Sequence, residues 1–116
     1  MNSDFPERDW KAFKRLRDLA LERFSQRICG ECLATLNDVT LTSHERYLAV
    51  YDLIRSRDIE IDRIFDSLRR STALLQLRQF WRHGLIDKEE VQALSEETRQ
   101  WADLNEATFG KAVELS

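Results

Sequence analysis

Turn-forming residues are scarce in this chain of 116 residues, which has three glycines and one proline. That poverty argues against a sandwich of short strands. It also leaves little material for phosphate-cradling glycine loops, G-x-S-x-G elbows or the strained turns many active sites use, and H-E-x-x-H is absent too. Cysteine occurs only twice, as Cys29 and Cys32. A chain of this length buries a working core without disulfides or metal, so neither thiol is needed for stability. No apolar run approaches the roughly 20 residues of a membrane span. The start, MNSDFPERDW, lacks the basic-then-apolar build of a secretory signal. A cytoplasmic protein with reduced thiols and no membrane partner is the expectation.

What is present suits helices: 42% of residues are apolar and 34% charged. The expected fold is all-α, one domain over residues 1–116, with ends at about 1–4 and 108–116 frayed. It is a small bundle of three long amphipathic helices, four or five if they break at Gly30 and Ser71, closing in a C-terminal αα-hairpin. The net charge of −3 is unevenly spread. From Asp87 onward eight acidic residues face three basic ones, leaving a mildly basic body, and fourteen of the eighteen basic residues are Arg. Genome composition explains such a bias, and an Arg-using interface is the alternative.

A first helix is expected to start near Ser3 or Asp4, with Pro6 in its first turn and Glu7 beside it. At roughly 100° per residue, Trp10, Phe13, Leu16, Ala20, Phe24 and Ile28 share a face opposite Lys11, Lys14, Asp18, Glu22 and Ser25. Beyond Gly30 the apolar set Cys29, Cys32, Leu33 and Leu36 lies far round the helix, which predicts a kink or a change of partner. Residues 37–41 read as a connection. Thr42-Ser43-His44-Glu45 then has the T-x-x-E form of a capping box. Behind it Tyr47, Val50, Tyr51, Ile54, Ile61, Ile64, Phe65 and Leu68 make one stripe, with Asp52, Arg55, Glu60, Asp62, Arg63 and Asp66 facing away. Past Ser71 the apolar set becomes Ala73, Leu74, Leu77, Phe80 and Trp81. Gly84 has the position of a C-cap, and Asp87-Lys88-Glu89-Glu90 offers a capping box for a helix through Val91, Leu94, Thr98, Trp101 and Leu104.

Residues 74–94, LLQLRQFWRHGLIDKEEVQAL, carry the pattern L-x-x-L-x6-G-L-I-D-x-E-E-V. This stretch resembles the short C-terminal helical module called SHOCT. The resemblance covers about 21 residues and implies oligomerisation or macromolecular binding. The chain departs from that pattern by continuing ~20 residues further and by placing two long helices before it.

A redox C-x-x-C needs its first cysteine at an exposed helix start, where the dipole favours the thiolate. Cys29 falls more than twenty residues into a predicted helix. Packing as small hydrophobes is the favoured reading of Cys29 and Cys32, with redox and metal roles below it. Structural zinc takes four ligands, and only the separated His44 and His83 remain to complete a set. His44 reads as a first-turn residue and His83 as a last-turn cation favoured by the dipole. Asp58, Asp62 and Asp66 recur every fourth residue without the E-x-x-H pairs of a dimetal bundle, so a solvated face is favoured. Asp58 with Arg57 falls near the apolar stripe, where an ion pair would fix register between helices. Lys11, Lys14, Arg15 and Arg17 on the first helix and Arg69, Arg70, Arg78 and Arg82 later offer a nucleic-acid footprint, and the Gly84 hairpin has helix-turn-helix form. Glu89, Glu90, Glu96 and Glu97 and a pI near 5.4 oppose it.

No catalytic residue, metal or cofactor is therefore expected. The function the residues favour is non-enzymatic: a helical interaction, adaptor or modulator protein that self-associates as a dimer and meets a protein partner. Tyr47, Asp58, Phe80, Trp81 and Trp101 are the interface candidates. A nucleic-acid-contacting regulator using Lys11, Lys14, Arg15, Arg69, Arg70, Arg78 and Arg82 comes second. A thiol or metal sensor at Cys29 and Cys32 comes third.

Overall fold

Pro6 precedes α1 (Glu7–Leu36), and the acidic Glu7 and Asp9 lie in its first turn, where the helix dipole favours them. The computed structural model describes residues 5–65 and 67–114. One long helix runs through Gly30 without a break. Gly30 is exposed, and a Cβ there would meet nothing within 4 Å, so no helix crosses close by and no kink is imposed. After the connection at residues 37–42, the expected capping box forms. Glu45 N–H donates to the Thr42 hydroxyl at 3.1 Å, and Thr42 N–H donates to the Glu45 carboxylate at 2.8 Å. α2 (Ser43–Ile64) starts there and returns antiparallel along α1.

The break expected at Ser71 comes earlier. α2 ends at Ile64 because Phe65 turns inward, its ring 5.2 Å from Phe80 and 6.2 Å from Phe24. A short 3-10 turn at Arg70–Thr72 then leads into α3 (Ala73–Arg82). Gly84 closes α3 in the left-handed region at φ 65°, where a Cβ is disfavoured. Asp87 and Glu90 form their capping box, each backbone amide donating to the other's carboxylate at 2.9 and 2.8 Å. The helix predicted from Val91 to Leu104 is nonetheless split. A 3-10 turn (Glu90–Ala93) is followed by α4 (Glu96–Trp101), capped by Ser95. The chain then turns back over α3 and ends the described part in α5 (Lys111–Glu114).

The molecule is all-α, with no strand among the described residues. Its core is gathered at one end, the head. Trp10, Phe13, Phe80 and Phe65 form a stacked column with successive centroids 5.5, 6.1 and 5.2 Å apart. Leu16, Ala20 and Phe24 of α1 close it on one side, and Leu77, Leu85, Ile86, Val91 and Leu94 on the other. Trp81 is buried beside them, its indole N–H donating to Asn105 O at 2.8 Å and Phe109 packing edge-on at 4.8 Å. Thr108, Phe109 and Gly110, in the stretch expected to fray, all meet Trp81. Residues 1–4 and 115–116, the outer parts of those ends, lie outside the described residues. The core stops at Phe24 on α1 and begins again at Ile64 on α2. Between them α1 and α2 project as a bare hairpin, the arm, which gives the molecule its extents of 55 × 26 × 20 Å.

Candidate interaction surface

Arginines cap the carboxyl ends of the helices and brace the arm against the head. A helix leaves its last carbonyls without partners and carries negative partial charge there. Arg46 donates to Leu36 O at the end of α1 and Arg17 to Phe65 O at the end of α2. Arg27 donates to His83 O and Gly84 O after α3, and Arg78 to Trp101 O and Ala102 O after α4. The carboxyl end of each of these four helices thus receives a guanidinium from another part of the chain. Arg23 adds a bidentate pair with Glu90 at 2.6 and 2.7 Å and a bond to Leu85 O.

At the root of the arm, Arg57 of α2 grips Glu31 of α1 in a bidentate pair at 2.9 and 2.7 Å and also bonds Glu60. The guanidinium holds Glu31 below the usual carboxylate range. Beside this pair a cleft of about 580 Å³ opens between α1, α2 and the end of α3, lined by Phe24, Ile28 and His83 among others. Its charged side chains Arg27, Glu31, Arg57 and Glu60 are bound to one another or to backbone. Burial pushes His83 below its ordinary value, with Glu60 opposing and Arg27 assisting, so its imidazole is neutral. The cation expected of His83 at the α3 terminus is supplied by Arg27 instead. The cleft braces the arm and presents no convergent set of unpaired polar groups.

The arm itself carries the apolar surface. From residue 25 to residue 63 no side chain is buried. Leu33 is 58% exposed, Tyr47 62% and Tyr51 53%, with Leu36 and Ile54 similarly open. At roughly 100° per residue, Cys29, Leu33 and Leu36 lie ~115° clockwise from the α2-facing side of α1, viewed down that helix. Tyr47, Tyr51 and Ile54 lie about as far from the α1-facing side of α2 in the same angular sense. Because the helices are antiparallel, the two sets fall on one flat side of the hairpin. Gly30, Ala34, Asp52 and Ser56 occupy the other. The core-facing residues of α1, Phe13, Leu16, Ala20 and Phe24, point nearly opposite to this apolar face, so the head does not cover it.

These placements correct several sequence expectations. Cys29 is exposed and Cys32 half-buried, both as free thiols, so they do not pack in a core. Beyond Ile28 α1 lies along α2, and Cys29 is turned to solvent. Phe80 and Trp81, expected as interface anchors, are core residues at 0% and 2% exposure. Tyr47 and Trp101 are exposed, the first on the arm face and the second on the head. Asp58 is exposed and its expected partner Arg57 is committed to Glu31 and Glu60. Asp66 lies outside the described residues. Among the described residues no group of three or more His, Cys, Asp or Glu is placed to hold a metal ion, and no helix is long and apolar enough to cross a membrane.

The basic set is dispersed by local duties. Lys14 and Arg70 both sit against the Trp10 ring, at 5.7 and 5.2 Å, and Arg70 also pairs with Glu7. Arg69 donates to the Ser67 hydroxyl and Arg78 is spent on α4, while Lys11, Arg15 and Arg82 are exposed. Sequence reasoning missed the buried Asp9, which ties the start of α1 to the cap of α4. The signal available was Ser95 followed by two glutamates, a helix start inside a segment read as continuous. Comparison with known protein families, curated proteins and solved structures finds no match to this chain.

Proposed function

We propose that this is a non-enzymatic helical interaction protein, in which the head is a rigid base and the arm a docking element for another protein. One observation carries the reading: six side chains of the arm, Cys29, Leu33, Leu36, Tyr47, Tyr51 and Ile54, form a continuous apolar face with none of the described residues packed over it. The largest contiguous apolar patch of a folded chain, typically a few hundred Å², is often its functional surface. Two tyrosines among aliphatic side chains are the composition of an interface centre. The bracing of the arm by Arg57, Arg46 and Arg27 supports the same reading, since a rigid face loses less entropy on binding.

The test is site-specific photocrosslinking in cells. A benzophenone side chain at Tyr51 should give a discrete protein adduct, and the same probe at Asp52, on the other flat side of the hairpin, should not. Equal adducts at both positions, or none at either, would sink the proposal.

A further inference from the structure

We infer that the arm face is covered by a second copy of this chain, lying antiparallel about a two-fold axis at the centre of the face, so that two arms close into a four-helix bundle. The inference rests on the docking role proposed above and adds the occupant.

The first support is the layout of the face. Its side chains run from Leu36 and Tyr47 near the tip to Cys29 and Ile54 near the root, so its midpoint lies near Leu33 and Tyr51. A two-fold axis there lays Tyr47 over the partner's Ile54 and Leu36 over the partner's Cys29. Every apolar side chain of the face is then covered by one of its own kind, as an isologous contact requires.

Charge supplies the direction. Asp58 lies one turn beyond Ile54 toward the root, and His44 lies one turn before Tyr47 toward the tip, its ring 6.0 Å from that tyrosine. Antiparallel arms bring Asp58 beside the partner's His44 and carry Arg55, which already lies 5.7 Å from Tyr51, toward the partner's Tyr47. Parallel arms, related by a two-fold along their length, lay α2 over the partner's α1 and bring Asp58 toward the partner's Gln26 and the partner's Glu22 instead. The antiparallel arrangement gives Asp58 an imidazole to hydrogen-bond, and the parallel one sets it near a carboxylate.

Size sets the strength. With its polar ends at His44 and Asp58 the contact runs ~15 residues at 1.5 Å each along two helices of about 10 Å diameter, about 20 Å square, so two copies bury on the order of 800 Å². That is the low end of specific interfaces. A concentration-dependent dimer is expected, with a dissociation constant in the micromolar range.

Sedimentation of the purified full chain should show monomer passing to dimer as concentration rises through micromolar values. Tyr51→Arg should weaken association at least tenfold with the circular dichroism unchanged, because Tyr51 lies outside the core, and Tyr51→Phe should preserve it. Asp58→Lys should weaken association by about fivefold or less, and adding His44→Glu should restore it. For orientation, a nitroxide on a ketone-bearing residue placed at Val39, with both native cysteines kept, reports the distance between tips. Antiparallel arms put the labels about 30 Å apart and parallel arms under about 20 Å. A chain that stays monomeric at several hundred micromolar overturns the inference. If Tyr51 still crosslinks to a different protein in cells, the docking role survives with another occupant. A dimer with tips under about 20 Å apart, or one indifferent to Tyr51→Arg, overturns the arrangement.

Discussion

A single carboxylate holds the two ends of the head together. Asp9 is fully buried, and it accepts hydrogen bonds from Ser95 N–H at 2.8 Å, the Ser95 hydroxyl at 2.7 Å and the Thr98 hydroxyl at 2.6 Å. Burial alone would raise its pKa, and these bonds, with Arg8 nearby, outweigh that and leave it below the ordinary value. Asp9→Ala strands three donors in a dry site and should cost about 3 kcal/mol, read as a lowered urea midpoint. A loss under about 1 kcal/mol would mean that water replaces the carboxylate. The same residue sets part of the acid response. Asp9, Glu31 and Glu90 have folded pKa values below the ordinary 3.8 for Asp and 4.5 for Glu, so their stabilisation is complete above those values and is lost as pH falls through the folded ones. His83 acts at higher pH. Its folded pKa lies below 6.5, so the unfolded chain takes up this proton first and stability declines as pH drops under that value. Urea midpoints between pH 7.5 and 5.5 should fall in the native chain and less steeply in His83→Gln. Equal slopes would show that burial of His83 carries no proton linkage.

Glycine behaves oppositely in two helical elements. Gly30 is mid-helix with open space around it, so Gly30→Ala should stabilise by about 0.5–1 kcal/mol through lost unfolded-state freedom. Gly84 ends α3 at positive φ with Arg27 Nη2 3.6 Å from the site of a Cβ, so Gly84→Ala should destabilise by about 1 kcal/mol or more. Thermal denaturation of the pair checks both signs. The contrast also shows what the sequence made legible. Cap chemistry is local, and the boxes at Thr42 and Asp87 and the C-cap at Gly84 were all readable from residues three or four apart. Element ends set by tertiary contacts were not. α2 stops at Ile64 because Phe65 is needed between Phe24 and Phe80, and α4 restarts at Ser95 because Asp9, 86 residues away, holds that cap. The arginines that meet the helix carboxyl ends were counted without being placed, since each reaches its carbonyl from another part of the chain, as Arg27 does across 56 residues to His83.

At the scale of the molecule, periodicity told which faces are apolar and left open what covers them. Tyr47, Tyr51, Ile54, Ile64 and Phe65 formed one stripe in the sequence, yet Ile64 and Phe65 are core and the first three are open surface. The difference is where the head ends, which depends on chain geometry and not on side-chain type. That division predicts two levels of stability. Amides of the arm between about residues 29 and 58 belong to stretches with no buried side chain, so they should exchange hydrogen through local opening. Amides of α3 and of α1 around Phe13 to Phe24 surround the aromatic column and should exchange only with global unfolding. Exchange mass spectrometry at low concentration should show the arm exchanging at least tenfold faster than the head. Raising the concentration should slow the arm selectively, because the second copy covers only that part, and Tyr51→Arg should abolish the slowing. Uniform exchange along α1 from Phe13 to Leu36 at every concentration would mean that the arm is as stable as the head without a partner, and that its apolar face serves no contact between copies.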